Sequence, residues 1–361
     1  MPFINLYYQR IGFSGIQIGA LSALPILVAS STVLIWGGIA DSMRWHNRIL
    51  RVNLVLTAGA ILLLSTATTF QGLIPFVVAY AFFSSPIVPL LDSSALEIAE
   101  SRQRTYGDLR VWGSIGWSIS TLLVGVIIQQ FNIKWLFYSY AILILLTFLI
   151  SLLLPVRTQV LKSSLAQGMK NLVMNVPFMV FLISIFLVSL TLGAANSFFS
   201  IYLDSIGTRE GGIGLGWAIS SLSEIPVMLF SGYLMRRIGS RGLLKIAFIT
   251  FIVRWLLYSF ISTPSLAILI QALHGLSWAA YLIGSVTYVN ERAPEGMNTS
   301  ALSVLNIVSS GAGAISGSLI GGYIYETAGI PWLFRTLSLI VVVGFGLFLI
   351  SQRRPVKTAA F

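Results

Sequence analysis

The stretch FINLYYQRIG at residues 3–12 recurs in altered form as FFSIYLDSIG at residues 198–207, and adding 195 to each position of the first aligns the two. The same offset, without a gap, places Gly37 on Gly232, where each half of the chain begins its first basic loop. Two separated matches in one register indicate an internal duplication. Because the repeated segment has the same orientation in both halves, the sequence predicts two parallel repeats of one helical unit.

The composition restricts both copies to a membrane. Apolar residues make up 56% of the 361 positions, charged residues make up 9%, and the mean hydropathy is +0.89. A soluble domain carries roughly 25% charged residues, so this chain cannot cover itself with a surface that faces water. It has no cysteine, which excludes a disulfide framework and a cysteine metal site. We expect an all-α polytopic membrane protein in a lipid bilayer, with no metal and no cofactor.

Apolar runs that are long enough to cross a bilayer, about 20 residues each, recur along the whole length. They predict eleven full spans, at residues 15–40, 49–68, 72–93, 107–131, 135–154, 177–201, 213–234, 243–261, 264–289, 301–325 and 332–351. In the second half a whole span precedes the corner at 202–207, and the offset places its equivalent in front of Met1. The sequence therefore predicts two six-helix halves with the first helix largely missing. The alternative is a protein that has eleven spans by nature.

The net charge of +11 would suit a nucleic-acid partner, but its distribution argues against one. The basic residues concentrate in alternate short loops, which is the orientation signal of a membrane protein and places those loops in the cytoplasm. We expect a monomeric, multi-pass protein of the bacterial inner (plasma) membrane with a cytoplasmic C-terminus. Its parts would be an N-terminal bundle at 1–155, a cytoplasmic linker at 156–175 and a C-terminal bundle at 176–361. His46, in the first basic loop, is expected to face solvent.

The first loops of the two halves carry a second signature. Residues 37–48 read GGIADSMRWHNR, and residues 232–241 read GYLMRRIGSR. A glycine lets two helices approach closely, and a carboxylate can bind a helix N-terminus or an arginine. The pattern resembles the loop signature of the major facilitator superfamily. This resemblance implies the major facilitator fold and a conformational latch at Gly37, Asp41 and Gly232, although the second copy has Arg236 in place of the acid.

Ionisable residues inside the predicted spans are the candidates for function, because a charge in the bilayer interior costs from about 2.5 kcal/mol upward. In the first half, Asp92 ends one span, Arg110 begins the next, and Trp117 shares a helix face with Arg110. An arginine and an indole on one face suit a hydroxylated or aromatic ligand. We interpret the three residues as a substrate site. The alternative is a static pair between Asp92 and Arg110, with Trp117 as packing.

In the second half, Glu224, Arg254 and His274 occupy three successive spans, an arrangement that brings side chains to a shared cavity. A carboxylate near an arginine and a histidine can exchange a proton, since each neighbour stabilises one charge state. Transport by alternating access requires that protonation changes which conformation is favoured. These residues are therefore predicted to be a proton-coupling group. The alternative is a static pair between Glu224 and Arg254, with the histidine as a packing partner.

Residues 106–116, YGDLRVWGSIG, resemble the run that opens the fifth helix in the lactose permease-like group of oligosaccharide, nucleoside and phenylpropionate proton symporters. The resemblance implies that Asp92 and Arg110 match the substrate-pairing residues and that Trp117 matches a ring-stacking tryptophan. It also implies proton coupling by the acid, arginine and histidine of the second half. Two departures stand out. Asp92 replaces a glutamate, and Ser277 stands where lactose permease has a second acid.

The function predicted from these residues is import of a small polar or aryl solute, such as a sugar, a nucleoside or an aromatic acid, by proton symport. The rival within transport is a proton-driven exporter. Exporters of this superfamily usually carry Gly-Pro in the fifth helix, and residues 113–117 contain no proline. A rival of another class is a non-transporting membrane sensor. No phosphate-binding loop, zinc-protease motif or catalytic triad is visible, so an enzyme is not expected.

Overall fold

The computed structural model describes residues 1–43, 45–101, 106–154, 176–293 and 297–353, and within these ranges it contains helices and turns but no strand. The helices of the first half are α1 (Ile4–Arg10), α2 (Gly15–Met43), α3 (His46–Leu64), α4 (Phe70–Ser84), α5 (Ile87–Ser101), α6 (Tyr106–Gln130) and α7 (Trp135–Ser151).

The helices of the second half are α8 (Val176–Ser205), α9 (Glu210–Leu229), α10 (Ser231–Tyr258), α11 (Pro264–Ile270), α12 (Ala280–Arg292), α13 (Asn298–Asn306), α14 (Ala314–Ala328) and α15 (Ile330–Arg353). Two spans are irregular in the middle. A 3₁₀ turn (Gln271–Leu273) and a π turn (Gly275–Ala279) join α11 to α12, and another π turn (Ile307–Gly313) joins α13 to α14.

The helices agree with the predicted spans. Among the described residues, nine helical stretches are long and apolar enough to cross a membrane. The helix α7 is apolar but shorter, and α10 carries basic residues in its first half. With these two included, each of the eleven predicted spans coincides with one helix or with consecutive helices. The all-α polytopic architecture is therefore confirmed.

The structure also reproduces the offset of the duplication. The helices α2 and α9 begin 195 residues apart, at Gly15 and Glu210, and α7 and α15 begin at the same spacing. The corners before α2 and α9 contain Gly12 with φ 91° and Gly207 with φ 85°. A left-handed φ strains any residue with a Cβ, which explains why glycine is present at both corners. The two halves thus repeat the same local geometry.

The chain divides into two compact units. The first consists of Met1–Leu161 and Ser200–Ala218, and the second of Lys162–Phe199 and Ile219–Phe361. The end of α8 and the start of α9, which the sequence assigned to the C-terminal bundle, therefore pack with the first unit. The predicted linker at 156–175 lies outside the described residues.

In the first unit, α6 packs closely against the start of α9. A Cβ atom added to Gly125 would lie 2.6 Å from the carbonyl oxygen of Glu210, and one added to Gly214 would lie 2.5 Å from that of Thr121. Small residues permit such contacts between backbones, and in a membrane this packing replaces the hydrophobic driving force.

Arg10, at the end of α1, forms a fork with two carboxylates of the same unit. Its Nη2 donates to Asp204 Oδ1 at 2.7 Å, and its Nη1 donates to Glu210 Oε1 at 2.7 Å. Partial burial disfavours the cation, but the hydrogen bonds and charges of the two carboxylates outweigh it and raise the pKa of Arg10 above its usual value. The guanidinium therefore ties α1 to the end of α8 and the start of α9.

Arg10→Met is expected to lower the free energy of unfolding by about 0.5–1 kcal/mol, because the arginine side chain is 35% exposed and solvent screens both pairs. The measurement is the thermal unfolding midpoint of detergent-purified protein, at low and at high salt. The difference from the wild type should shrink at high salt. Arg209→Met removes the same charge at an exposed position, in the corner before α9, and is the matched control. Equal losses in both variants at low salt would contradict this account.

In the second unit, α8 and α14 cross where both backbones carry a glycine. A Cβ atom on Gly317 would overlap the carbonyl group of Leu190, and one on Gly193 would overlap the backbone of Ala314. Nearer the start of α8, the ring of Phe181 packs at a tilt of 39° against that of Tyr288, with ring centroids 4.4 Å apart. The crossing and the ring contact fix α8 against the rest of this unit.

Two details of the basic loops differ from expectation. His46 is buried, with 5% of its surface exposed, because it begins α3 rather than lying in an open loop. The close helix approach expected at the latch glycines is also absent from the described residues. A Cβ atom on Gly37 would meet no described atom within 4 Å, and one on Gly232 only Arg236 Nη1 at 3.8 Å. The side chain of Asp41 lies outside the described part, so the latch stays a prediction.

Candidate functional site

The position of the charged residues in the second unit depends on a close crossing of α9 with the span that contains the π turn. The backbone N–H of Gly275 donates to Ser223 Oγ at 2.9 Å. A Cβ atom added to Gly275 would overlap the carbonyl group of Ser223, so only glycine fits without displacing a backbone. The crossing therefore requires a glycine on one helix and a small hydroxyl residue on the other.

The residues next to this crossing are the ones that the sequence selected. Glu224 follows Ser223 and His274 precedes Gly275, so their side chains meet beside it. The distance between His274 Nε2 and Glu224 Oε1 is 3.4 Å, and the two side chains are 13% and 15% exposed. A carboxylate and an imidazole at this separation can share a proton.

Arg254, on α10, is the largest buried polar side chain of the unit, with 2% of its surface exposed. Its Nη2 donates to Gln271 Oε1 at 2.7 Å, and its Nη1 donates to Ser277 Oγ at 2.5 Å. The guanidinium also lies 4.9 Å from the ring centroid of Trp255 and 6.0 Å from that of Tyr258. No carboxylate lies within ion-pair distance of it in the described part of the chain. Neutral oxygens and aromatic faces therefore hold the cation.

This arrangement differs from the static pair that the sequence left open. Glu224 contacts His274 rather than Arg254, and the arginine contacts Gln271 and Ser277. The sequence marked Ser277 only as the site of a lost acid, and Gln271 was not among the predicted site residues. The signal that could have identified them is their spacing, since both are three residues from the histidine and lie about one helical turn away.

The wall of the cluster toward α8 is formed by hydroxyl and aromatic groups. The hydroxyl groups of Ser189 and Tyr281 lie 2.7 Å apart, and the indole N–H of Trp255 donates to Thr191 Oγ1 at 3.2 Å. Trp278 stacks on Tyr281 with ring centroids 5.8 Å apart. These contacts fix the aromatic side chains near the arginine and the histidine.

In the first unit, Trp117 is 43% exposed and lines a cavity of about 200 Å³. The cavity is mainly apolar, and Ser120, Thr121, Tyr140 and Thr147 are among the residues that line it. Asp92 lies half-buried on α5. The side chain of Arg110 lies outside the described part, so the expected pair with Asp92 stays a prediction.

A helical membrane protein that buries an arginine and a histidine–glutamate pair at an irregular stretch of its spans has the features of a transport protein, because such groups mark substrate and proton pathways. The chain belongs to the MFS_1 like family, whose sequence model matches residues 1–336. It is a multi-pass membrane transporter of a small-molecule substrate, and neither the family nor the relatives below are enzymes.

Two relatives cover most of the chain. The maltose permease of Geobacillus stearothermophilus is 28% identical over 355 residues, which are 98% of this chain and 90% of that protein. The putative nucleoside transporter YegT of Escherichia coli (strain K12) is 28% identical over 341 residues, or 89% of this chain and 79% of that protein. A crystal structure of a mutant of the nucleoside transporter NupG matches with a TM-score of 0.86 at 19% identity, over 96% of this chain and 93% of that one. The last match supports the fold.

Gly275→Ala is expected to destabilise the protein by about 1–3 kcal/mol, since the new methyl group must displace the backbone of Ser223, and to lower uptake because Glu224 and His274 separate. Thermal unfolding and transport assays measure the two effects. Gly346→Ala, where a Cβ atom would meet no described atom within 4 Å, should leave stability unchanged or slightly raised. If Gly275→Ala unfolds at the same temperature as the wild type, the crossing is looser than described.

Proposed function

We propose that the protein imports a small polar or aryl solute by proton symport, with Glu224, His274 and Arg254 as the proton-coupling group. The observation that supports this most directly is the 3.4 Å contact between Glu224 and His274, beside an arginine that no described carboxylate neutralises. The orientation of the protein in the membrane follows from its basic loops, whose positive charges mark the cytoplasmic side. We propose an inner-membrane monomer with a cytoplasmic C-terminus.

The coupling would work through the charge of the pair. When a proton binds, the glutamate and the histidine together gain one positive charge, and the nearby guanidinium disfavours that state. When the proton leaves, the pair and the arginine attract each other more strongly. Because the two protonation states differ in their interactions within the bundle, each can favour a different conformation, which is the requirement for coupled alternating access.

Glu224→Gln is expected to abolish accumulation of solute against its gradient while solute counterflow continues, because the amide cannot carry the proton but can still occupy the site. The assay uses membrane vesicles with an imposed pH gradient, with and without a protonophore. Glu326→Gln, at an exposed position on α14, is the matched control and should accumulate solute normally. Full accumulation in Glu224→Gln would exclude this glutamate as the carrier. Solute loss driven by the same gradient would instead support an exporter.

For the substrate site we propose Asp92, Arg110 and Trp117. The half-exposed Trp117 lines a cavity that Ser120, Thr121, Tyr140 and Thr147 also line, a set of residue types that suits a ring carrying polar groups. The names of the relatives, a maltose permease and a putative nucleoside transporter, point to the same kind of solute. A sugar, a nucleoside and an aromatic acid are the three classes to test.

Trp117→Ala is expected to raise the KM for the transported solute about tenfold, which corresponds to the loss of about 1–1.5 kcal/mol of ring contact. Labelled members of the three solute classes would be assayed in vesicles. The control is Trp112→Ala, which removes a 70% exposed indole from the same helix and should leave the KM near that of the wild type. An unchanged KM in Trp117→Ala for every transported solute would remove this residue from the site.

A further inference from the structure

Gln271 has an unusual position among the polar residues of the second unit. Its side chain is buried, with 2% of its surface exposed. Its Oε1 accepts two hydrogen bonds, from Arg254 Nη2 at 2.7 Å and from the Tyr258 hydroxyl group at 3.0 Å. Both lone pairs of the amide oxygen are therefore occupied. The amide takes the place beside the guanidinium that a carboxylate would normally fill.

The neutrality of this acceptor has an electrostatic consequence. A carboxylate in the same place would cancel the charge of Arg254 and produce a static ion pair. Gln271 and Ser277 supply the hydrogen bonds without a negative charge, and the rings of Trp255 and Tyr258 add attraction for the cation. The positive charge is thus held in place but remains uncancelled by any described residue.

That charge acts on the Glu224–His274 pair. Gln271 and His274 are three residues apart in adjoining turns, so the held guanidinium lies close to the imidazole. The titratable and charged groups that the packed elements bring to the pair are Glu224 from α9, Arg254 and Tyr258 from α10, and His274 and Tyr281 from its own span. The basic residues at the start of α10 and at the end of α12 lie at the helix ends that are remote from the Glu224–His274 pair.

We propose that Gln271 is a positioning residue of the proton-coupling group, which fixes the Arg254 guanidinium with its charge uncancelled and thereby sets the pH range in which the Glu224–His274 pair takes up a proton. This inference rests on the proposed proton symport and deepens it. It assigns the control of proton affinity to a neutral residue that does not itself titrate.

The test is Gln271→Glu, which has the same shape and keeps both acceptor contacts but adds a negative charge. The chain contains two histidines, so full-length protein labelled with ¹³C-histidine in detergent gives two imidazole signals, and His46→Asn assigns them. The titration midpoint of His274 is expected to move to higher pH by about one pH unit, because a negative charge added beside Arg254 offsets the guanidinium and stabilises the imidazolium. An unchanged midpoint would overturn the proposal.

Gln129→Glu is the matched control. Gln129 Oε1 also accepts a hydrogen bond, from the backbone N–H of Gly211 at 3.0 Å, but it lies in the first unit. Its replacement should leave the His274 midpoint unchanged, and an equal shift there would show a global charge effect and overturn the proposal. If Gln271→Glu is not recovered folded, Ser277→Asp brings a carboxylate to the other edge of Arg254. The same upward shift is expected, and its absence would also refute the inference.

The histidine titration needs no solute, so it separates this inference from the proposed function. Loss of accumulation in wild-type vesicles on addition of a protonophore supports symport, and continued accumulation refutes symport together with the coupling role of Gln271. If accumulation is protonophore-sensitive but the midpoint does not move in Gln271→Glu, symport stands and only the role of Gln271 fails.

Discussion

The closeness of the Gly275–Ser223 crossing determines where the charges of the second unit lie. Lipid chains are as apolar as leucine, so helices in a membrane are held together by close packing and hydrogen bonds rather than by exclusion of water. The crossing uses both, since the glycine has no Cβ to separate the backbones and its N–H binds the serine hydroxyl group. Glu224 and His274 adjoin these two residues, so their contact follows directly from the crossing.

A buried arginine is the second constraint, because an ionised group in a protein interior is costly unless hydrogen bonds and charges compensate it. Arg254 donates hydrogen bonds to Gln271 and Ser277 and lies over the Trp255 ring, but it has no described carboxylate within ion-pair distance. The forked guanidinium reaches Gln271 and Ser277 together, which a lysine could not do with the same geometry. The π turn at Gly275–Ala279 adds a residue to one helical turn and so sets how Ser277 is presented. The irregular backbone of the π turn and the buried charge of Arg254 thus occur at the same place in the unit.

The sequence predicted the duplication, the eleven spans and the residues of the charged cluster, because periodicity and composition encode them. It could not predict the pairing within the cluster. Whether Glu224 contacts the histidine or the arginine depends on the rotation of α9 and on a π turn that shifts the register of one span, and neither leaves a local pattern. Gly37 and Gly232 make no close backbone contact with described residues, since a glycine in a helix shows that a close approach is possible but not that a neighbour is there. The contacts of Gln271 depend on three-dimensional proximity alone.

The duplication repeats the backbone of the two halves but not their charged residues. Subtracting the offset from Glu224, Arg254 and His274 gives Ala29, Gly59 and Ala79, and adding it to Asp92, Arg110 and Trp117 gives Thr287, Leu305 and Ala312. No charged position of either group is repeated in the other half, although the starts of α2 and α7 and the glycine corner before α2 are. The repeated features are those that fix backbone geometry, and the charges were placed on each copy separately. The shared backbone therefore accounts for the fold, while the substrate and proton roles have to be argued from each half's own residues.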